Sequence, residues 1–167
     1  RMAESDYFLK RFSRVREDLS PFLDRAARRA EARFFYLMTT QRVGSRDQYI
    51  EQTRALVGDF PDSSWAEDAL NNLASLHIVA DEDDQADVVF RELISKFPSG
   101  RYAARAMWKV GWRAYRQKQY AETAEVFDRA AAIFPRTDYR PSYLYWAAKA
   151  REQAGDATGA GAGFQLV

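Results

Sequence analysis

The stretch from Ala104 to Pro135, ARAMWKVGWRAYRQKQYAETAEVFDRAAAIFP, decides the fold because it contains two amphipathic helices and the turn between them. Its first half places one apolar series at helical spacing, formed by Met107, Val110, Gly111 and Ala114. A second series follows the break at Lys118-Gln119, formed by Tyr120, Ala124, Phe127, Ala131 and Phe134. Neither helix buries its apolar face alone, so the pattern predicts a helical hairpin that packs against neighbouring hairpins.

The hairpin belongs to a repeat. Phe-Pro occurs at 60–61, 97–98 and 134–135, so successive copies lie 37 residues apart (97 − 60 and 134 − 97). Other residues keep this register: Trp65, Tyr102 and Tyr139; Leu70, Met107 and Leu144; Phe90, Phe127 and Phe164. Small residues recur at Ala74, Gly111 and Ala148, where two helices can approach closely. A fixed period of this length predicts a helical solenoid.

The unit resembles the tetratricopeptide repeat, whose signature positions fall here at Met107, Val110, Gly111, Tyr120, Phe127, Ala130 and Pro135. It departs from that family at Ala114, where an aromatic residue is usual, and in a repeat longer by about three residues. We place the extra residues in the connection 136–138. The resemblance implies an all-α fold, a right-handed superhelical array of antiparallel helix pairs with about four repeats (a TPR-like α-solenoid).

The sequence predicts one helical-repeat domain over residues 1–167. Its expected parts are an N-terminal helix over 1–19, a degenerate repeat over 20–61, repeats over 62–98 and 99–135, and a truncated repeat over 136–167. Within the degenerate repeat, Ser20-Pro21 predicts the start of a long helix that reaches about Val43. Because the chain opens on Arg1 and stops at Val167 inside an expected helix, we expect a piece of a longer protein.

Composition narrows the classes of function. The 167 residues are 47% hydrophobic and 14% aromatic, which is enough for a real core. The net charge of +1 predicts neither nucleic acid nor an anionic membrane as a partner. Cysteine is absent, which excludes disulfides and thiolate metal sites. No apolar run is long enough to span a bilayer, so the sequence predicts no membrane span.

Catalytic and metal-binding patterns are missing from the sequence. The single histidine, His77, has no histidine or cysteine partner for zinc or a triad, so we interpret it as a packed helix residue. The acidic run 81–84 lacks the glycine and the spaced oxygen ligands of a calcium loop, and it suits the positive end of a helix dipole. We therefore predict no active site, no metal and no cofactor.

A recognition surface is the remaining candidate. In superhelical arrays of this type, the first helices of successive repeats line a concave groove. The expected groove residues are Asn71 and Ser75; Arg105, Trp108, Trp112, Tyr115 and Arg116; and Tyr145, Lys149 and Glu152. Large aromatic residues beside arginine are typical of binding surfaces and would suit a protein or peptide, or a sugar ring stacked on tryptophan. The alternative is that Trp108 and Trp112 pack against neighbouring first helices or against another domain.

Residues 106–127 and 139–156 resemble the superhelical, non-catalytic region of bacterial soluble lytic transglycosylases. Trp108, Trp112, Tyr145-Trp146 and Gly155-Asp156 carry most of this likeness. It implies a periplasmic protein that acts on peptidoglycan glycan strands, with this chain as the scaffold, because the lysozyme-like catalytic domain of that family is not in the sequence. The alternative is a periplasmic repeat adaptor of the outer-membrane assembly or Tol-Pal type, which binds protein partners. The oligomeric state is left open.

Overall fold

The computed structural model describes residues 2–167, and these form helices and connecting turns with no strand among them. The chain divides into two compact units, one ending at Leu73 and the other running from Ala74 to Val167. The helices of the first unit are α1 (Met2–Phe8), α2 (Phe12–Leu19), a 3₁₀ helix (Ser20–Phe22), α3 (Arg29–Val43) and α4 (Arg46–Asp59). The boundary between the units falls inside α5 (Ser64–Val79). The helices of the second unit are α6 (Asp83–Lys96), α7 (Ala103–Arg116), α8 (Tyr120–Ile133), α9 (Arg140–Gln153) and α10 (Ala157–Phe164).

The single helix predicted over residues 1–19 is wrong, because the chain turns between α1 and α2. Lys10 takes a left-handed conformation with φ 59°. Its N–H donates to the Tyr7 carbonyl at 2.9 Å, and the next N–H, of Arg11, donates to the Asp6 carbonyl at 2.9 Å. These two bonds form a Schellman motif, which ends a helix. Phe8 is consequently 70% exposed, although it fitted the apolar period that predicted one helix.

The long helix predicted from Pro21 is also wrong at its start, because α3 begins only at Arg29. The intervening turn is tied to the rest of the unit by Arg33, whose Nε donates to the Leu23 carbonyl at 3.3 Å. The same guanidinium forms ion pairs with Asp24 and Asp59. These contacts between distant residues favour a folded-back turn over the helix that the local sequence predicts.

The later helices lie where the sequence predicts them. Within the predicted repeats 20–61 and 62–98, the structure has helices at Arg46–Asp59, Ser64–Val79 and Asp83–Lys96. Ser45 and Gln48 form a capping box at the start of α4, in which each side chain accepts from the other residue's backbone N–H. The helical period and the turn residues therefore fix this part of the chain.

The 37-residue period also appears in the geometry of the turns between first and second helices. Asp81, Lys118 and Gly155 have φ values of 57°, 61° and 85°, and they lie 37 residues apart (118 − 81 and 155 − 118). After each of them the next N–H donates 2.9 Å back to the carbonyl five residues earlier, on His77, Ala114 and Arg151. All three turns are Schellman motifs, although their sequences differ.

This shared geometry predicts opposite effects for two substitutions. Lys118→Gly should stabilise the second unit by about 1 kcal/mol, because it removes the cost of a side chain at a left-handed position. Gly155→Ala should destabilise it by a similar amount, since no atom lies within 4 Å of an added Cβ and only the backbone conformation is strained. Urea unfolding of both variants measures this, and shifts of the same sign would contradict the shared turn.

Candidate functional site

The apolar series predicted on α7 lies in the core of the second unit. Met107, Val110, Gly111 and Ala114 are buried, as the sequence predicts. On α8, Phe127 is fully buried, and its ring packs against Gly111. A Cβ added at position 111 would lie only 2.7 Å from Cζ and 2.8 Å from Cδ1 of this ring. The missing side chain at position 111 therefore lets α7 and α8 pack closely.

On the rest of α7 and on α9, five large rings form one connected group that keeps contact with solvent. We call this group the aromatic face: Trp108, Trp112, Tyr115, Tyr145 and Trp146. The Trp108, Trp112 and Tyr115 rings are nearly parallel, with centroids 6.0 Å and 5.9 Å apart and interplanar angles of 6° and 9°. Trp146 meets Trp112 and Tyr115 edge-on at 4.8 Å and 4.9 Å, and Tyr145 at 5.3 Å. The face therefore spans two first helices.

Trp108 lies at the inner edge of this face. Its ring contacts Phe127 at 5.5 Å, Tyr139 at 6.2 Å and Tyr143 at 6.4 Å, so part of its surface belongs to the core. Tyr143 is itself fully buried, and its hydroxyl donates 2.6 Å to the Ala104 carbonyl, which joins α9 to α7. Burial raises the pKa of Tyr143 well above its usual range. Trp108 and Trp112 are both half-buried.

A cleft of about 370 Å³ adjoins the aromatic face at Trp112. We call it the basic cleft, because three cations of α7 line it: Lys109, Arg113 and Arg116. Its other walls come from Ile78, from Gln117 and from α6, which contributes Asp83, Ala86, Asp87 and Phe90. Arg113 forms an ion pair with Asp84 and lies 4.0 Å from both Asp83 and Asp87. Arg113 therefore faces three carboxylates of α6.

The other groove residues predicted from the sequence differ in burial and in the residues that they contact. Arg105 lies 3.4 Å from the Ser75 hydroxyl and above the Phe90 ring at 5.6 Å. Lys149 forms a hydrogen-bonded ion pair with Glu152, which raises the pKa of the lysine. Arg116 is exposed. Asn71 is buried on α5 and belongs to the first unit, so it is not counted with the aromatic face.

Sequence reasoning missed two residues of this region. Trp146 contacts three rings of the aromatic face. It is not the residue in register with Trp112, because the position one period of 37 residues later is Lys149. Lys109 lines the basic cleft and was overlooked beside the larger rings. Helical spacing could have found Lys109, because it lies four residues after Arg105 and three before Trp112. The contacts of Trp146 depend on how two helices pack, which the period alone does not give.

The acidic run and the histidine have structural roles. Asp83 and Asp84 lie in the first turn of α6, where the helix dipole favours negative charge. His77 is buried, and its Nδ1 lies 2.7 Å from Oε2 of Glu82 across the turn that follows α5. Among residues 2–167 no group of three or more histidine, aspartate or glutamate side chains is placed to hold a metal ion. Over the same residues, each helix is too short or too polar to cross a bilayer.

Comparison with known proteins supports the fold. No protein-family model matches the chain, and no curated protein matches its sequence. Among solved structures, MamA AMB-1 is 16% identical with a TM-score of 0.60, over 98% of this chain and 85% of that one. BtubC (BKLC) from P. vanneervenii is 15% identical with a TM-score of 0.56, over 98% and 74% of the two chains. A Podosopora anserina putative kinesin light chain with nearly identical TPR-like repeats is 12% identical with a TM-score of 0.53, over 98% and 89%. The chain therefore has a TPR-like helical-repeat fold.

Proposed function

We propose that this chain is a non-catalytic helical-repeat scaffold that binds a protein or peptide segment on its aromatic face. One observation carries the proposal: five rings of α7 and α9 form a connected group that stays partly open to solvent. The part of these rings that stays open to solvent is costly to leave in water, and a partner that covers it gains that burial. Tryptophan, tyrosine and arginine are also the residues that most often dominate binding energy.

Trp112 is the ring on which binding should depend most. It contacts Trp108, Tyr115 and Trp146, and it also lines the basic cleft, so it lies at the centre of the proposed surface. Central, partly buried tryptophans are common hot spots, and truncating one typically costs about 2 kcal/mol or more of binding energy. A bound segment should therefore shield Trp112 from solvent.

A displayed library of random peptides of about twelve residues tests this proposal. We expect the chain to retain peptides whose affinity falls about 30-fold for Trp112→Ala, in line with the cost of a hot-spot truncation. Phe22→Ala is the matched control, because Phe22 is 55% exposed in the other unit and should leave affinity unchanged. Melting curves of both variants separate lost binding from lost folding. Equal losses for the two variants, or peptides that Trp112→Ala still binds fully, would refute the proposal.

A second candidate ligand is a glycan strand. Parallel rings about 6 Å apart on α7 favour it, because sugar rings can stack on flat aromatic surfaces. This candidate would agree with the resemblance to the non-catalytic region of lytic transglycosylases, which is also the basis for proposing a periplasmic location. The adaptor alternative needs only the protein partner. Titration with chito-oligosaccharides, followed by tryptophan fluorescence, decides between the two ligands: a saturable change that Trp112→Ala abolishes would favour the glycan.

A further inference from the structure

Charge is divided unequally among the helices of the second unit. The α7 sequence carries Arg105, Lys109, Arg113 and Arg116 and no acidic residue, so its net charge is +4. The α9 sequence has three cations and one acid, for a net charge of +2. In contrast, α6 has four acids and two cations, and α8 has three acids and one cation, so each carries −2. The helices that bear the aromatic face are thus the basic ones, in a chain whose total charge is only +1.

Several of these cations already have anionic partners. Arg113 is matched by the acidic residues of α6, Lys149 pairs with Glu152, and Arg151 pairs with Asp128. Lys109 and Arg116 differ, since neither forms an ion pair with any residue between 2 and 167. Both line the basic cleft, and the half-buried ring of Trp112 lines it with them. Two uncommitted cations therefore flank the central ring of the proposed surface.

The opposite wall of the cleft does not cancel these two charges. Asp87 is held by Arg91 at 2.7 Å and lies 4.0 Å from Arg113, while Asp83 lies 4.0 Å from Arg113. One oxygen of Asp87 has no hydrogen-bond partner among residues 2–167, so this wall keeps some negative charge, but the three cations that line the cleft outnumber its two carboxylates. A ligand group that enters the cleft meets unmatched positive charge on the α7 side, beside an aromatic ring.

We infer that the partner is an acidic peptide segment, which places a glutamate or aspartate carboxylate in the basic cleft against Lys109 and Arg116 and an apolar side chain on Trp112. This inference rests on the proposed function and adds the chemistry of the partner. Charge complementarity at such a surface would raise the rate of encounter and select against basic segments. A nucleic acid fits less well, because its affinity grows with the number of phosphates that are neutralised, whereas the cleft offers two unpaired cations beside two carboxylates.

Reversal of charge gives the sharpest test. The displayed random library would be selected in parallel on the full chain, on Lys109→Glu/Arg116→Glu, and on Arg129→Glu/Arg136→Glu. The last variant makes the same change of charge at exposed positions outside the cleft. We expect peptides retained by the unaltered chain and by the control to be enriched in aspartate and glutamate. The cleft variant should lose at least about 10-fold in affinity for those peptides and should select lysine and arginine instead.

The outcomes separate this inference from the proposed function. Peptides that depend on Trp112 but show no acidic enrichment would overturn the inference and leave the proposed function standing. If no peptide is retained above an empty support, both fail. A labelled single-stranded RNA oligonucleotide is tested in parallel at the same salt concentration. If the RNA binds more tightly than the acidic peptides, and Lys109→Glu/Arg116→Glu abolishes RNA binding, the cleft is assigned to nucleic acid. The acidic peptide is then rejected as the partner.

Discussion

Replacing Phe127 with alanine should lower the free energy of unfolding by about 3–5 kcal/mol, the largest stability effect that we expect in the second unit. The ring is fully buried, fills the space that Gly111 leaves, and stacks on Trp108 and Tyr143 at 5.5 Å and 5.6 Å. Its removal leaves a cavity that helices on both sides cannot fully close. The melting temperature should fall by roughly 10 °C.

Urea unfolding, followed by circular dichroism and by tryptophan fluorescence, measures this effect. Phe22→Ala is a suitable control, because that ring is 55% exposed and its loss should change stability by about 0.5 kcal/mol or less. The fluorescence of the Phe127→Ala variant should also change in the folded state, since Trp108 loses a ring that it stacks on. Similar stabilities for the two variants would mean that Phe127 is not the centre of the core.

The second large effect is expected at Gly111. Gly111→Leu should destabilise the second unit by about 1–3 kcal/mol, because any Cβ at this position overlaps the buried ring of Phe127. The better helix propensity of leucine offsets only about 1 kcal/mol of the overlap. Gly161→Leu is the matched control on α10, where no atom lies within 4 Å of an added Cβ. It should be neutral or stabilising, and an unchanged melting temperature for Gly111→Leu would show that the repeat register is wrong.

The period of 37 residues was enough to predict the helices from α5 onward. It works because the same contacts recur: Phe90 and Phe127 are both buried, and Ala74, Gly111 and Ala148 all lie at buried positions of first helices. The period did not predict the left-handed turn residues, because Asp81 and Lys118 carry no glycine signal at positions that glycine usually occupies. Only the third copy, Gly155, has the expected residue.

The start of the chain shows where local patterns stop being informative. Apart from Pro21, residues 1–43 are mostly good helix formers, yet the helices break at Lys10 and between Phe22 and Arg29. The second break is stabilised by ion pairs from Arg33 to Asp24 and Asp59, and the more distant of these partners lies 26 residues away. Such pairs depend on the packed structure, so hydrophobic periodicity cannot predict them.

The candidate site was predictable in composition but not in arrangement. Trp108, Trp112, Tyr115 and Tyr145 could be placed on first helices from the repeat, and the structure has them there. Three features depend on how the helices pack and could not be predicted: the partial burial of Trp108 in the core, the central position of Trp112, and the basic cleft beside Trp112. This arrangement is what separates residues needed for stability, such as Phe127, from residues proposed for binding.

The four tryptophans allow the most direct test of the proposed surface, because each indole N–H gives its own signal in a nitrogen–proton NMR spectrum. Trp108, Trp112 and Trp146 belong to the aromatic face, whereas Trp65 packs on Phe34 and Phe35 in the first unit. On titration with a peptide selected from the library, the signals of Trp112 and Trp146 should shift most, with a smaller shift for Trp108 and none for Trp65. A shift confined to Trp65, or saturable binding that moves none of the three signals of the aromatic face, would contradict the assignment of this surface.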